Sequence, residues 1–290
     1  MESILELKDV NKAYPNAKFQ LKDVSFSIPY GSIVGFIGEN GAGKTTTMGT
    51  IIGTLKKDSG TIRVFGENIE ENRIAIKEEI GVVFDEINFS DHLNITQLSN
   101  VLRNVYKNWD EETYFHYLNL FSLPKQEKIE GFSRGMSMKL SIAVALSHDA
   151  KLLILDEATA GLDPVAREEM IEIFENYVKN GQHAILLSSH ITSDIEKIAN
   201  ELIFIKKGEI ILHVNKEDMM DHYAIVTCDK EQFNQLDKQV IISYLEKVDH
   251  MEVLLADKQH VPPSVSLKVG TLDDITLLLM KGEHHERSHS

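Results

Sequence analysis

Hydrophobic and polar positions alternate with period two in Ile4-Leu5-Glu6-Leu7 and from Phe19 to Ile28. That pattern predicts two half-buried strands, with Pro29-Tyr30-Gly31 as the turn. Ile33-Val34-Gly35-Phe36-Ile37, Leu152 to Leu155 and Ala184 to Leu187 are instead unbroken apolar runs. Such runs are expected of strands covered on both faces in a mostly parallel sheet. Gly60 to Gly66 reads as a further short strand. Residues 96–109 place Leu98, Val101, Leu102, Val105 and Trp109 at helical spacing, predicting one amphipathic helix. Asp110 is the N-cap expected for the next, which carries Tyr114, Phe115, Leu118 and Phe121 as core residues rather than ligand-stacking ones. After Gly208 the pattern changes to a β-rich stretch, two acidic helical segments and Pro262-Pro263, a separate small α+β unit. The expected layout is a main domain over 1–210 with a helical insertion at about 85–145, an accessory unit over 211–282, and a frayed polar tail over 283–290.

Composition narrows the class. The 290 residues are 42% hydrophobic and 26% charged, as in a globular protein. No apolar run approaches a membrane span, and Met1-Glu2-Ser3-Ile4 does not open a signal segment, so the chain is expected to stay on the cytosolic side. The lone Cys228 cannot form an internal disulfide. A net charge of −15 argues against a function built on gripping nucleic acid, and no nucleic-acid partner is expected.

Residues 38–46 read Gly38-Glu39-Asn40-Gly41-Ala42-Gly43-Lys44-Thr45-Thr46. The spacing G-x-x-x-x-G-K-T between an apolar strand and a helix is a phosphate-binding loop. Gly38, Gly41 and Gly43 free the backbone to curl its N–H groups around a β-phosphate, with Asn40 and Thr46 in the same loop. Lys44 would bridge the β- and γ-phosphates, and the Thr45 hydroxyl would ligate Mg²⁺. Asp156 and Glu157, ending the Leu152 strand, supply a carboxylate for Mg²⁺ and a general base for water. Ser188-Ser189-His190 ends another buried strand, at the carboxyl edge where a side chain points to the γ-phosphate. Phe132-Ser133-Arg134-Gly135-Met136, before a helix-prone segment, makes a second anion site. One nucleotide does not need two, so two copies arranged head-to-tail would complete each other's pockets.

With these motifs in this order, the chain resembles the nucleotide-binding subunit of an ABC (ATP-binding cassette) transporter over about residues 1–210. The resemblance implies a P-loop α/β fold with a mostly parallel core sheet, an antiparallel N-terminal β subdomain, a helical subdomain and here a C-terminal α+β extension. It implies ATP and Mg²⁺ as cofactors. Tyr14 resembles the aromatic that stacks on adenine, a contact of about 1–3 kcal/mol in comparable sites. Residues 38–46 resemble the Walker A loop, 152–157 Walker B with catalytic Glu157, and 132–136 the signature, with Ser133 and Gly135 on the partner's γ-phosphate. Asp163 resembles the D-loop aspartate, and His190 the switch histidine.

Three positions depart from the family. Asp85 stands at the usual Q-loop glutamine; a carboxylate can ligate Mg²⁺ but cannot donate a hydrogen bond. Arg134 and Met136 replace Gly and Gln, leaving Arg134 to touch phosphate, meet an acidic partner or stay solvated. Ala158 replaces Pro. A single cassette without a membrane span resembles the separate-subunit exporters of bacteria, in particular those for staphylococcal phenol-soluble modulins. That implies a homodimer or heterodimer of ABC ATPases, held at the cytoplasmic face of the membrane by a separate permease whose helix enters the 85–145 insertion. The competing class, a soluble ABC ATPase acting on ribosomes or DNA, usually has two cassettes or a long coiled coil.

Overall fold

The computed structural model describes residues 2–15, 19–84, 89–189, 192–263, 265–268 and 270–284. The chain begins with strands β1 (Ser3–Ala13), β2 (Gln20–Pro29) and β3 (Ile33–Ile37), then helix α1 (Lys44–Ile51). Next come β4 (Ser59–Val64), β5 (Glu67–Asn68), α2 (Arg73–Glu78) and β6 (Ile80–Val83). Helices α3 (Ile95–Leu102), α4 (Glu111–Leu120) and α5 (Arg134–Ala145) form the insertion. The core resumes with β7 (Leu152–Asp156), α6 (Pro164–Val178), β8 (Ala184–Ser188), α7 (Thr192–Ile198), β9 (Glu201–Lys206) and β10 (Glu209–Asn215).

β6, β7, β8, β3 and β9 run parallel, with β10 antiparallel at the edge. Every residue of β3, β7 and β8 is buried. The two faces explain the unbroken apolar runs. Leu153, Leu155 and Leu187 join a core with Tyr114, Leu118 and Leu140 of the insertion. Leu152, Ile154 and Leu186 join the opposite core with Met48 and Ile51 of α1 and Leu5, Phe26 and Ile62 of the second sheet. That second sheet, ordered β2-β1-β4-β5, is antiparallel. Its alternation slips in β1: Leu5 and Leu7 are buried, and the next buried residue is Val10. The register shifts between Leu7 and Val10, and Asp9 takes φ 51°. The bulge returns Val10 to the covered face. Gly60 lies opposite with φ 85°, where a Cβ would come within 2.3 Å of the Asp9 carbonyl oxygen.

The helix expected over 96–109 is shorter. α3 stops at Leu102, whose carbonyl accepts from both Val105 and Tyr106 N–H groups. This turn leaves Val101 and Val105 48% and 58% exposed and brings Tyr106 inward to stack on His148, ring centroids 4.0 Å apart. Burial lowers the His148 pKa. The aromatics of α4 are packed as expected: Tyr114 is buried and donates its O–H to the Ile95 carbonyl at 3.1 Å. Asp110 caps α4.

Past β10 follow α8 (Lys216–His222), β11 (Ala224–Cys228), α9 (Lys230–Gln235), β12 (Ile241–Glu246) and β13 (Met251–Leu255). β14 (Ser266–Lys268), α10 (Leu272–Lys281) and β15 (Glu283–His284) end the described chain. The five strands order as β14-β11-β13-β12-β15, all antiparallel. Residue 210, the expected domain limit, lies inside β10. The accessory unit also shares a core with the main sheet: Leu272, Ile275 and Leu279 of α10 pack with Ile195, Leu202 and Phe204. Glu283, expected in a frayed tail, pairs with Tyr244, whose hydroxyl donates to the Glu283 carboxylate at 2.5 Å. Main-chain pairing has captured the start of that segment, and residues 285–290 lie outside the described residues. Among the described residues no helix is long and apolar enough to cross a membrane.

Candidate nucleotide site

β3 delivers the chain into the 38–43 loop, and α1 starts at Lys44. Gly43 is the N-cap, at φ 118° and with no side chain to satisfy the helix's first N–H groups. Those donors face the cleft and suit an anion. A Cβ at Gly43 would come within 2.9 Å of Leu21 and 3.1 Å of Phe19. Gly41 is left-handed at φ 79°. The Lys44 ammonium is folded back on the loop, donating to the Gly38 carbonyl at 2.7 Å and the Glu39 carbonyl at 3.4 Å. Burial pushes its pKa down, partly countered by the charges of Glu157 and Asp156.

Across the cleft, the Asp156 carboxylate accepts from Thr45 Oγ1 at 2.8 Å and from Ser188 Oγ at 2.5 Å. Ser188 also holds the next residue: Glu157 N–H donates to Ser188 Oγ at 3.2 Å and to its carbonyl at 3.1 Å. Glu157 itself is left-handed, φ 57°, a conformation costing about 1–3 kcal/mol for a residue with a side chain. The sharp turn lets Asp156 and Glu157, adjacent in sequence, both line one cleft of about 380 Å³. Asn40, Gly41, Thr45 and Thr46 line the facing wall. Phe19 is a wall residue too, one that the period-two reading had assigned only to a strand. Its ring lies 6.4 Å from that of Tyr14, whose hydroxyl is 3.4 Å from Thr46 Oγ1. Ser188 is likewise a site residue missed for its contact. The only sequence signal for it was a hydroxyl at the end of a buried strand.

Ser133, Gly135 and Asp163 gather elsewhere and do not line this cleft. Ser133 caps α5, accepting from Met136 N–H at 3.2 Å. Gly135 meets the D-loop, a Cβ there standing 3.3 Å from the Gly161 carbonyl oxygen. The stem of Arg134 crosses Gly161, where a Cβ would come within 3.2 Å of its Cδ. Asp163 caps α6 through Val165 and Ala166 N–H groups, both at 3.0 Å, and those bonds lower its pKa. Asp85 and His190 lie outside the described residues.

The family model for ABC transporters matches residues 21–160. The bacitracin transport ATP-binding protein of Bacillus licheniformis is 36% identical over 219 residues, 73% of this chain and 69% of that protein. The chain belongs to the ABC transporter family. It is an ATP-binding subunit of that family and hydrolyses ATP. The lantibiotic transport ATP-binding protein of Streptococcus pyogenes is 36% identical over 215 residues, 72% of this cassette chain and 90% of its own length. A solved structure of an ATP-binding subunit of an ABC transporter superposes with a TM-score of 0.69 at 27% identity, over 76% of this chain and 92% of that one. The cassette fold is therefore shared beyond the motif segments, with the parallel core, antiparallel β subdomain and helical insertion described above.

Proposed function

We propose that this cassette powers a bacterial exporter in which a separate membrane permease passes an amphipathic peptide. One observation carries the reading of the motor: the groups suited to a γ-phosphate are split between two surfaces of one chain. Lys44, Thr45, Asp156 and Glu157 line one cleft, and Ser133, Gly135 and Asp163, which would supply the other half-site, do not line it. Two copies, or this chain and a sister ATPase, joined head-to-tail complete both sites. ATP closes the joint and hydrolysis releases it.

Within each site Lys44 leaves the Gly38 carbonyl for the β- and γ-phosphates, whose charge offsets the cost of its burial. The Thr45 hydroxyl and Asp156 carboxylate, already in contact, are hard oxygen donors that fit Mg²⁺. Thr45 and Asp156 would hold it, with Asp85 added from the sequence. When bound, Mg²⁺ would supply neutralisation of phosphoryl charge. Glu157 holds a water and takes its proton. His190 contributes a γ-phosphate contact by its place in the sequence. Tyr14 offers an aromatic face to adenine beside Phe19, the ring that lines the cleft.

A groove of about 390 Å³ between the core and the insertion supports the permease contact. Ile74, Val82, Phe84, Val105 and Tyr106 line it, with Ile74 82% exposed. A mostly apolar lining of this kind, which also holds Lys77 and Glu78, fits a partner helix and would hold the cassette at the cytoplasmic membrane face. The names of the bacitracin and lantibiotic relatives favour a peptide cargo and a transporter over a ribosome- or DNA-directed ATPase. The phenol-soluble modulin exporters, resembled in sequence, are the subgroup proposed. Purification of the tagged chain from detergent-solubilised native membranes tests the assignment. A stoichiometric polytopic membrane protein is expected, released by Ile74→Arg. Ribosomal or DNA-repair proteins in its place would sink it.

A further inference from the structure

The turn that carries Glu157 is braced from behind. Its backbone N–H is tied to Ser188, which also holds Asp156. From Glu157 the chain runs through buried Ala158, Thr159 and Ala160 to the D-loop at Leu162 and Asp163. The Thr159 hydroxyl, inside that stretch, is buried without a hydrogen-bond partner, so it does not anchor the segment. The far end is held by Arg167, in the first turns of α6: its Nη2 donates to the Leu162 carbonyl at 3.3 Å. The same guanidinium faces Asp194 of α7, Nε to Oδ2 at 3.6 Å. Asp194 is 2% exposed, and neither Nε nor Oδ2 has a hydrogen bond. α7 is the helix that follows the Ser188 strand end. Ser188 thus holds the catalytic turn at Glu157, and Arg167, facing Asp194, holds the other end of the segment at Leu162.

An ion pair that buries its carboxylate, leaves the arginine side chain 27% exposed and is not closed by a hydrogen bond is a poor source of stability, because the carboxylate's desolvation is incompletely compensated. A neighbouring pair, Glu168 with Lys197 at 2.6 Å, already joins α6 to α7 at the surface. The placement of the Arg167–Asp194 pair therefore points to geometry rather than adhesion. We propose that Arg167 and Asp194 are positioning residues for hydrolysis, holding the Glu157–Asp163 segment so that the carboxylate stays aimed at the attacking water. This rests on the assignment of Glu157 as general base. Displacing that carboxylate slightly costs chemistry far more than nucleotide binding, since the phosphate loop is a separate element.

The test is steady-state ATPase kinetics of the full-length chain beside its thermal midpoint. Arg167→Met lowers kcat about tenfold or more and leaves KM for ATP within about twofold. Arg167→Lys, which keeps the charge but not the fork of donors, falls in between. The double variant Arg167→Met with Asp194→Leu separates aiming from stability: its thermal midpoint returns towards the parent value while kcat stays low, because Leu162 has lost its donor. Recovery of kcat together with stability, or an unimpaired Arg167→Met, overturns the proposal. Should Arg167→Met not fold, the Arg167→Lys and double variants decide it by the same criterion. A Glu157→Gln variant that turns over at the parent rate overturns the general-base reading and this proposal with it. An inactive Glu157→Gln beside an unimpaired Arg167→Met overturns the brace alone.

Discussion

The Lys44 ammonium sits 2.7 Å from the carbonyl oxygen of Gly38, the residue that opens its own loop. In this posture a buried cation is satisfied by backbone, and its pKa is depressed by burial. On the proposed function, triphosphate would replace those carbonyls with a fuller counter-charge.

Replacing Lys44 by Met is therefore expected to cut turnover by at least about a hundredfold while leaving the nucleotide-free fold as stable or more so. The sign follows from linkage. A lowered pKa means the folded chain binds this proton less tightly than the unfolded chain does. The penalty is fully present below the depressed pKa and is relieved as pH rises through it towards the ordinary lysine value. Thermal melts of both proteins from neutral to alkaline pH should converge as pH rises. A Met variant that melts well below the parent at neutral pH would refute this.

Glu157→Gln should retain ATP binding, lose hydrolysis by about two to four orders of magnitude, and accumulate as an ATP-bound dimer. Size-exclusion chromatography with ATP and Mg²⁺ reads this directly. A monomer that still hydrolyses ATP would remove Glu157 from the mechanism.

Ser133→Arg is expected to act in trans. In mixed dimers carrying this change on one copy and Lys44→Ala on the other, both defects fall on the same composite pocket. The second pocket stays whole, and roughly half of the activity of two sites remains on a simple additive expectation. Inactivation confined to the pocket of the copy bearing Ser133→Arg would disprove the head-to-tail arrangement.

Ser188 is the hinge between the two acids, and Ser188→Ala leaves one Asp156 oxygen without its donor. A loss of about 1–3 kcal/mol in unfolding free energy is expected, with a fall in kcat, measured by urea denaturation and steady-state assay. No change in either quantity would mean that the contact carries nothing.

The accessory unit should not be separable. Leu279 of α10 shares a core with Ile195 and Phe204 of the ATPase sheet. Thr192, which opens α7, hydrogen-bonds Asp273 of α10, and Lys206 donates to the Leu279 carbonyl at 3.1 Å. Leu279→Ala is expected to cost about 2–5 kcal/mol, and a chain cut after residue 215 should aggregate. A cut chain that is monodisperse, with parent ATPase activity, would show the unit to be an independent appendage.

Local chemistry was legible in the amino-acid order. Phosphate-loop glycines, a lysine, a hydroxyl and a strand-terminal acid pair need only a few consecutive residues, so Gly38 to Thr46 and Asp156-Glu157 identify themselves. Unbroken apolar runs announced the strands with two covered faces for the same reason. Contacts between distant segments were not legible. The Ser188 hydroxyl matters because β8 pairs with β7, bringing it against Asp156. Arg167 meets Asp194 only because α6 and α7 cover the same sheet. Phe19 reads as a strand residue until the fold closes it over Gly43. The extent of α3 and the capture of Glu283 by β12 were likewise settled by tertiary packing. A turn that packs Tyr106 against His148, or a pairing that satisfies an edge strand, outweighs the weak preference of a short segment for continuing its pattern.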